Sequence, residues 1–264
     1  MYNILKKNLF QLRKDRTFWI TFAIFFLILL WMTSPVAPYH QVKYVGTNTE
    51  LSRVMAKESA KFDRTETLSY YIRDRFGSNR AVVVGIVFCF IFFNREKKSK
   101  SFENTCAVTR DRFSVYFANV TSLTMVCVCC AFAELLNLAI TLLYTGSRKD
   151  PQGLGEIPPF LCMYLMVVLF LVVLFYGLYL ITRKVLVPVV LFVIWDMIVL
   201  ITTFSVFSPE VKQLITEMCL LGILDRVVGT TSWSACARGM MIFVPATILC
   251  MTVTLVVIHA RDLD

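Results

Sequence analysis

Long apolar runs, separated by short charged segments, dominate the pattern of hydrophobic and polar positions along the chain. A helix needs about 20 apolar residues to cross the hydrocarbon core of a membrane. Runs of at least this length, each with no more than one Asp, Glu, Lys or Arg, occupy residues 17–36, 113–143, 157–182, 185–207 and 239–259. They predict five transmembrane helices.

A sixth run, residues 81–94, is shorter. It has 14 residues between Arg80 and Arg95, which is about 21 Å of helix at 1.5 Å per residue. It is either a re-entrant or buried segment, or a span that Arg80 lengthens by snorkelling and that Tyr70–Ile72 extends. Six spans place both termini on one side, and we therefore predict an all-α integral membrane protein with six transmembrane helices.

The distribution of Lys and Arg predicts the orientation of these spans. Five basic residues lie in residues 1–16 and six in residues 95–112. The segment 37–80 has eight basic and five acidic residues, but long loops influence orientation less than short ones. The bias predicts cytoplasmic termini, a cytoplasmic segment 95–112 and a large external loop 37–80.

Three connecting segments have helical or amphipathic patterns of their own. In residues 1–16, Leu5, Leu9 and Leu12 alternate with basic residues, which favours an interfacial amphipathic helix over a plain positive flank. Residues 208–238 are too apolar for a free loop and too polar for a span, so we expect an external re-entrant region. Within loop 37–80, a recognition role and a plain solvated loop both remain open.

Composition agrees with membrane insertion. The chain is 57% hydrophobic and 17% charged, with a mean hydropathy of +0.67, whereas soluble domains have about 25% charged residues. The net charge of +9 comes from basic residues that flank apolar runs. It is explained by membrane topology, so membrane lipid is the expected surrounding and nucleic acid is not an expected partner.

The sequence has none of the common catalytic motifs. It contains no G-x-x-x-x-G-K-[ST], G-x-S-x-G or H-E-x-x-H pattern, and its histidines are His40 and His259. The nine cysteines lack zinc-ligand spacing. Cys219 and Cys236 are predicted outside, either as two free thiols or as a pair. We expect no catalytic residue, no metal and no cofactor in this chain.

Two carboxylates interrupt apolar runs: Glu134 lies in the run 113–143 and Asp196 in the run 185–207. An ionisable group is costly in hydrocarbon, so each should face protein or water. They are candidates for lining a translocation pathway. Hydrogen bonding between helices is the alternative.

The cytoplasmic segment 95–112 contains a helix-like stretch from Ser101 to Val108. We predict a short helix parallel to the membrane that faces a cytoplasmic partner. A basic loop obeying the positive-inside rule is the alternative.

Together these features resemble the permease subunit of an ABC-2 type ATP-binding-cassette exporter. The most specific part is Phe92–Glu96, followed by Thr109-Arg110 and Phe113-x-x-Tyr116-x-x-Asn119. Glu96, Thr109 and Arg110 match the pattern of the family. Lys-Ser replaces the family's Gly-Thr turn, and Asn119 stands where Lys is usual.

The resemblance implies a non-catalytic subunit of a bacterial cell membrane that exports a peptide, a lipid-like molecule or a drug. Its expected partners are ABC ATPase subunits, which bind ATP and magnesium, and a second copy or a homologous permease. The residues expected to couple to the ATPase are Glu96, Ser101, Phe102, Glu103, Thr109 and Arg110. Two other classes remain open: a membrane-embedded immunity or sensor protein that binds a peptide without transport, and an ion-coupled carrier using Glu134 and Asp196.

Overall fold

Apolar runs of this kind fold as helices because a helix satisfies its own backbone hydrogen bonds where water is absent. The computed structural model describes residues 2–14, 16–33, 68–69, 72–73, 79–109, 111–145, 153–203 and 220–260. These residues contain no strand, which confirms the predicted all-α class. Their helices are α1 (Tyr2–Lys14), α2 (Arg16–Thr33), α3 (Asn79–Ser99), α4 (Ser101–Thr109), α5 (Arg112–Thr145), α6 (Ile157–Thr182), α7 (Leu186–Thr203), α8 (Leu220–Val228) and α9 (Trp233–Ala260).

Three helical segments in the described part of the chain are long and apolar enough to cross a membrane. They are Arg112–Ile140, Leu154–Thr182 and Trp233–Ala260. Shorter apolar helical segments lie at Phe18–Leu27 in α2 and Leu186–Trp195 in α7. Helices of this length and composition are typical of a membrane protein.

Helix α3 is longer than the apolar run that predicts it. It continues past residue 94 to Ser99 and has 21 residues in all, or about 31 Å at 1.5 Å per residue. Lys97 and Lys98 lie in its last turn, where positive charge interacts favourably with the helix dipole. Lys100 has a left-handed backbone (φ 47°) and separates α3 from α4.

Helix α6 is the central helix and contacts α3, α5, α7, α8 and α9. Its approach to α9 is close at Gly177, where an added Cβ would collide with the Thr254 hydroxyl. At Gly239 of α9, an added Cβ would lie 2.5 Å from the end of the Met163 side chain of α6. Small residues at these two crossing points allow the backbones to approach, as is common between membrane helices.

Aromatic rings fill the space between α3, α6 and α7. Phe93 stacks on Tyr179, with ring centroids 4.9 Å apart and nearly parallel planes. Phe90, Phe175 and Phe192 contact one another edge to face at 5.7–6.0 Å, a favoured geometry for aromatic pairs. Much of the buried core is therefore built from the Phe-rich runs of the sequence.

Polar contacts gather the connecting segments at two opposite ends of the bundle. At one end, which we call the α4 end, Arg112 at the start of α5 donates to the Ile258 carbonyl of α9 at 2.7 Å. At the other, the Glu156 end, Arg73 pairs with Glu156 at 2.8 Å and donates to the Val228 carbonyl at 2.8 Å. Each end thus joins segments that are far apart in sequence.

Several sequence predictions concern segments that the structure describes only in part. Residues 34–67, 204–219 and 261–264 lie outside the described residues, as does Cys219. In the predicted re-entrant region, α8 covers Leu220–Val228, and α9 begins at Trp233, six residues before the predicted start of the last span at 239. Cys236 is a buried free thiol.

Candidate functional site

Helix α4 is a short helix held against the bundle by one face. Phe102 and Cys106, four residues apart, lie on the same side and are 2% and 4% exposed. Burial raises the pKa of the Cys106 thiol to about 11, so this thiol is neutral and acts as a small apolar group. The predicted coupling residue Phe102 is therefore an anchor within the core.

The other face of α4 is open. Val108, on this face, is 85% exposed. The Thr109 side chain is also exposed, and its hydroxyl donates back to the Thr105 carbonyl at 2.8 Å. Ser101, at the first position of α4, is half-buried. Arg110 lies outside the described residues.

An ion pair connects α4 with the turn between α6 and α7. Arg183 Nη1 lies 2.5 Å from Glu103 Oε1, and each side chain is about one-third exposed, at 32% and 33%. Arg183 ends α6 in a left-handed conformation (φ 55°), which brings its guanidinium over α4. A partly exposed pair contributes at most about 1 kcal/mol to the free energy of unfolding. The contact nevertheless joins α4 to the turn between α6 and α7.

Glu96 is buried near the end of α3. It is 4% exposed, and its Oε1 accepts hydrogen bonds from Asn119 Nδ2 at 2.8 Å and from the Tyr176 hydroxyl at 3.1 Å. Its Oε2 is also buried and has no hydrogen-bond partner in the described part of the chain. This predicted coupling residue therefore lies behind α4 and does not face an incoming partner.

Hydrogen bonds extend from Glu96 of α3 to three other helices. Asn119 of α5 donates a second bond to the Tyr176 hydroxyl of α6 at 2.6 Å. Its side-chain oxygen accepts from Asn8 of α1 at 2.6 Å, and Asn8 also lies 3.5 Å from the Ser122 hydroxyl. We call Glu96, Asn8, Asn119, Ser122 and Tyr176 the Glu96 network. It ties α1, α3, α5 and α6 together.

The charge of Glu96 depends mainly on its burial. Desolvation raises the pKa of this carboxyl to about 8, against the opposing effects of the Tyr176 hydrogen bond and the Arg183 charge. The neutral acid is thus the favoured form at pH 7. A neutral carboxyl carries a proton that it can donate, in addition to accepting hydrogen bonds.

A polar cavity of about 250 Å³ opens beside the Glu96 network. It lies where α1, α3, α4 and α5 meet. Its walls are formed by Lys7, Asn8, Phe92, Arg95, Glu96, Ser99, Ser101, Asn104 and Asn119. The α4 end thus combines an exposed helix face, a buried acid and a partly basic cavity.

The two predicted pathway residues lie elsewhere. Glu134 is fully buried in α5, 15 residues beyond Asn119, or about 22 Å farther along the helix. Asn137, three residues on, is buried on the same side. Asp196 lies in α7, and its side chain is outside what the structure describes. The structure therefore separates Glu134 from the coupling residues.

Sequence reasoning missed Asn8, Tyr176 and Arg183, among other residues of the site. Each has a weak signal: an Asn in an amphipathic helix, a Tyr in an otherwise apolar run, and an Arg in a turn. These residues can be assigned to the site only from the tertiary structure. In it Asn119 hydrogen-bonds to Tyr176, 57 positions away, and to Asn8, 111 positions away.

No protein-family model, curated protein or solved structure gives a significant match to this chain. Among the described residues, no three His, Cys, Asp or Glu side chains are grouped so that they could hold a metal ion. The functional assignment therefore depends on the geometry of the α4 end.

Proposed function

We propose that this chain is the membrane-spanning permease subunit of an exporter, driven by a separate ATPase of the ATP-binding-cassette type. The observation that carries the proposal is the geometry of α4, a short helix anchored by Phe102 and Cys106 that presents Val108 to solvent. An exposed apolar residue on a firmly held helix is suited to insertion into a partner's groove.

The proposed topology has six spans with both termini in the cytoplasm. Helix α3 supports the second span, because the apolar run 81–94 lies within one continuous helix, Asn79–Ser99, whose charged last turn follows the run. The first polar turn after that span, which contains Glu96, emerges at the cytoplasmic boundary. The α4 end is then cytoplasmic, and the Glu156 end is external.

In the proposed mechanism, α4 receives the movement of the ATPase and transmits it to the bundle. The Glu103–Arg183 pair connects α4 with the turn between α6 and α7, and the Glu96 network connects α3 with α5 and α6. ATP and magnesium are bound by the partner. The ATPase can shift the bundle between two arrangements only if it contacts α4 differently in each.

A pair of permeases, either two copies of this chain or this chain with a homologous one, completes the proposed pathway. The substrate class we propose is a peptide, a lipid-like molecule or a drug. We propose Glu134 for bracing or lining the pathway, and its full burial within the chain favours bracing. Asp196 is proposed for the same role from its position in an apolar run.

The proposal is tested at Val108, by purifying the chain in detergent with the proteins encoded beside it. We expect an ATPase to co-purify with the unmodified chain. Val108→Glu should reduce ATPase binding and coupled ATP hydrolysis by about tenfold, because a charge would be desolvated in the apolar groove. Val108→Ile, the matched control, keeps an apolar side chain and should behave like the unmodified chain.

Three outcomes would reject the assignment. Undiminished coupling in Val108→Glu would show that α4 does not dock in the ATPase. If the unmodified chain recruits no ATPase and a proton gradient alone drives uptake or export, the protein is an ion-coupled carrier. Peptide binding without any transport would identify a sensor or immunity protein.

A further inference from the structure

Two cysteine thiols lie together where α6 and α9 begin. Cys162 is in the second turn of α6 and Cys236 is in the first turn of α9. Their side chains are within hydrogen-bonding distance of each other, and Cys162 packs against the core cluster that contains Cys236. Both are free thiols. Two cysteines whose sulfur atoms are in contact need little backbone movement to form a disulfide.

The packing of α6 on α9 keeps these two thiols together. Both helices begin at the Glu156 end and run toward the α4 end, and they have an extensive contact along their lengths. Met163, the neighbour of Cys162, lies against Gly239 of α9. An added Cβ at Gly239 would be 2.5 Å from the end of the Met163 side chain. Because Cys236 lies one turn before Gly239, the same close approach holds the two thiols side by side.

A polar segment at the start of α9 places this pair near water. Ser232 and Ser234, whose hydroxyl oxygens are 3.0 Å apart, are both exposed. Trp233 between them is exposed too, and Trp is common where a membrane meets water. Cys162 is half-buried, whereas Cys236 is buried, so Cys162 is the thiol that a dissolved reagent meets first. In the proposed topology that reagent comes from outside, where disulfides persist.

A second pair of thiols is equally close but differs in its surroundings. Cys89 of α3 and Cys127 of α5 have sulfur atoms 3.9 Å apart. Their side chains are 2% and 4% exposed, and both residues lie near the middle of their helices. Such an apolar setting disfavours the thiolate that thiol–disulfide exchange requires. This pair therefore provides an internal control in which the thiols are close together and out of reach of a reagent.

We propose that Cys162 and Cys236 form a disulfide by exchange with a low-molecular-weight disulfide on the external side. The Cys162 thiol loses its proton, and its sulfur attacks one sulfur of the reagent. The S–S bond of the reagent breaks, and its other half leaves as a thiol with that proton. The Cys236 sulfur then attacks Cys162 Sγ in the mixed disulfide, and the second thiol leaves with the Cys236 proton. Two protein thiols are thereby oxidised, and one reagent disulfide is reduced to two thiols.

The disulfide would lock the outer ends of α6 and α9. Helix α9 is attached to the rest of the chain mainly through α6, so a covalent bond in its first turn would hold it against the bundle. The effect on transport rests on the proposed function, because an exporter must open this end to release its substrate. Oxidation should therefore arrest the exporter, and reduction should release it. Formation of the bond does not depend on the ATPase.

The pairing is measured by peptide mapping of the detergent-purified chain. The chain is reduced and then incubated with oxidised glutathione, after which the remaining thiols are alkylated in denaturant and the protein is digested without reduction. We expect a peptide pair joined through Cys162 and Cys236, whereas Cys89 and Cys127 should carry the alkyl group. A link from Cys236 to Cys219, or alkylation of both proposed partners, would overturn the pairing. Equal oxidation of Cys89 and Cys127 would overturn the role of access from the Glu156 end.

Single variants test the order of the two exchange steps. Cys236→Ser should retain glutathione on Cys162 as a mixed disulfide, because no second thiol displaces it. Cys162→Ser should take up about tenfold less glutathione, since the remaining thiol is buried. Cys219→Ser, the matched control, should form the same disulfide as the unmodified chain.

Two results with these variants would contradict the proposal. Equal glutathione uptake by Cys162→Ser and Cys236→Ser would overturn the order of the steps, and loss of the disulfide in Cys219→Ser would overturn the pairing. The thermal midpoint of each variant reports whether it folds, and the peptide map of the unmodified chain stands even if one does not.

The outcomes separate this inference from the proposed function. If no ATPase binds but the disulfide forms, only the exporter assignment fails. If an ATPase binds and the two thiols stay reduced in oxidised glutathione, only the disulfide is rejected. Where both hold, oxidation should lower the coupled ATP hydrolysis of the unmodified chain, a reducing agent should restore it, and Cys162→Ser should be insensitive to both. Unchanged hydrolysis in the oxidised chain would overturn the lock.

Discussion

At the scale of single residues, Glu96 combines burial with incomplete hydrogen bonding. A buried carboxylate without full compensation is unfavourable, and the usual response is to keep the proton. The groups that face it are Asn119 and Tyr176 within hydrogen-bond distance, and Arg183 and Glu103 as nearby charges. Their effects partly oppose one another, so desolvation determines the direction of the shift. Glu96 is therefore a source of pH dependence built into the α4 end.

The stability of the protein should fall as pH rises between about 4.5 and 8. Below this interval Glu96 is protonated in both the folded and the unfolded chain. Within it the unfolded chain loses the proton near the ordinary pKa of 4.5, while the folded chain retains it until the pH reaches about 8. Because deprotonation stabilises only the unfolded chain in this interval, the free energy of unfolding decreases as pH rises. Above the interval both forms are ionised and this contribution stays constant.

The measurement is the thermal midpoint in detergent from pH 5 to pH 9, for the unmodified chain and for Glu96→Gln. Gln is a neutral group of nearly the same shape. The thermal midpoint of the variant should therefore fall less between pH 5 and pH 8 than that of the unmodified chain. The difference between the two curves removes contributions from other titrating groups. Parallel curves would show that Glu96 ionises normally in the folded protein.

At the scale of elements, α6 and α9 make the most extensive helix–helix contact in the described structure. Only 17% of the most apolar window of α9 is buried within the chain, compared with 56% for α6. The contact with α6 is therefore the main attachment of α9 to the rest of the chain. Gly177 of α6 lies against Thr254 of α9, where an added Cβ would collide with the Thr254 hydroxyl.

Gly177→Ala should destabilise the protein by about 1–3 kcal/mol, because the new methyl group overpacks the crossing point. Thr254→Ala removes the hydroxyl that the added Cβ would meet. That hydroxyl donates to the Cys250 carbonyl of its own helix, at 2.7 Å, so its loss should cost less than the collision at Gly177. The double variant should recover much of the stability.

The check is a double-mutant cycle of thermal or denaturant stability in detergent. Gly155→Ala is a suitable control, since an added Cβ there meets no atom within 4 Å. Additive effects of Gly177→Ala and Thr254→Ala would mean that the two residues do not meet as described.

At the scale of the whole molecule, the charged connecting segments are sorted to two ends. The α4 end joins residues far apart in sequence through Arg112 and Arg183, and the Glu156 end does so through Arg73. Arg73 is 7% exposed, so its contacts with Glu156 and the Val228 carbonyl stabilise a buried charge. These connections make each end a compact surface. In the proposed topology, the α4 end is the one that would meet the proposed ATPase.

Labelling of introduced cysteines in intact cells tests the proposed orientation. Val108→Cys and Gly155→Cys place thiols at exposed positions of the two ends. A thiol reagent that does not cross the membrane should label Gly155→Cys from outside and Val108→Cys only after the cells are opened. The unmodified chain gives the background from the native cysteines. The reverse pattern would invert the topology, and labelling of both from outside would exclude it.

The sequence by itself determines the helical class and the approximate limits of most apolar helices. Run length and periodicity are local properties, and backbone hydrogen bonding in an apolar setting leaves helix as the available conformation. The α6 limits coincide with the predicted 157–182, and α5 extends the predicted 113–143 by only a few residues. The sequence also places Glu96 and Ser101–Val108 in the segment 95–112, which is predicted to face a partner.

Tertiary structure decided how those residues are used. Whether Glu96 is charged depends on burial and on Asn119 and Tyr176, which approach it from two other helices. The cavity exists only because α1 is placed against α5, where Asn8 meets Asn119. The length of α3 beyond its apolar run also depends on tertiary contacts that bury Glu96. These outcomes follow from packing between distant segments, which hydrophobic periodicity along one chain does not specify.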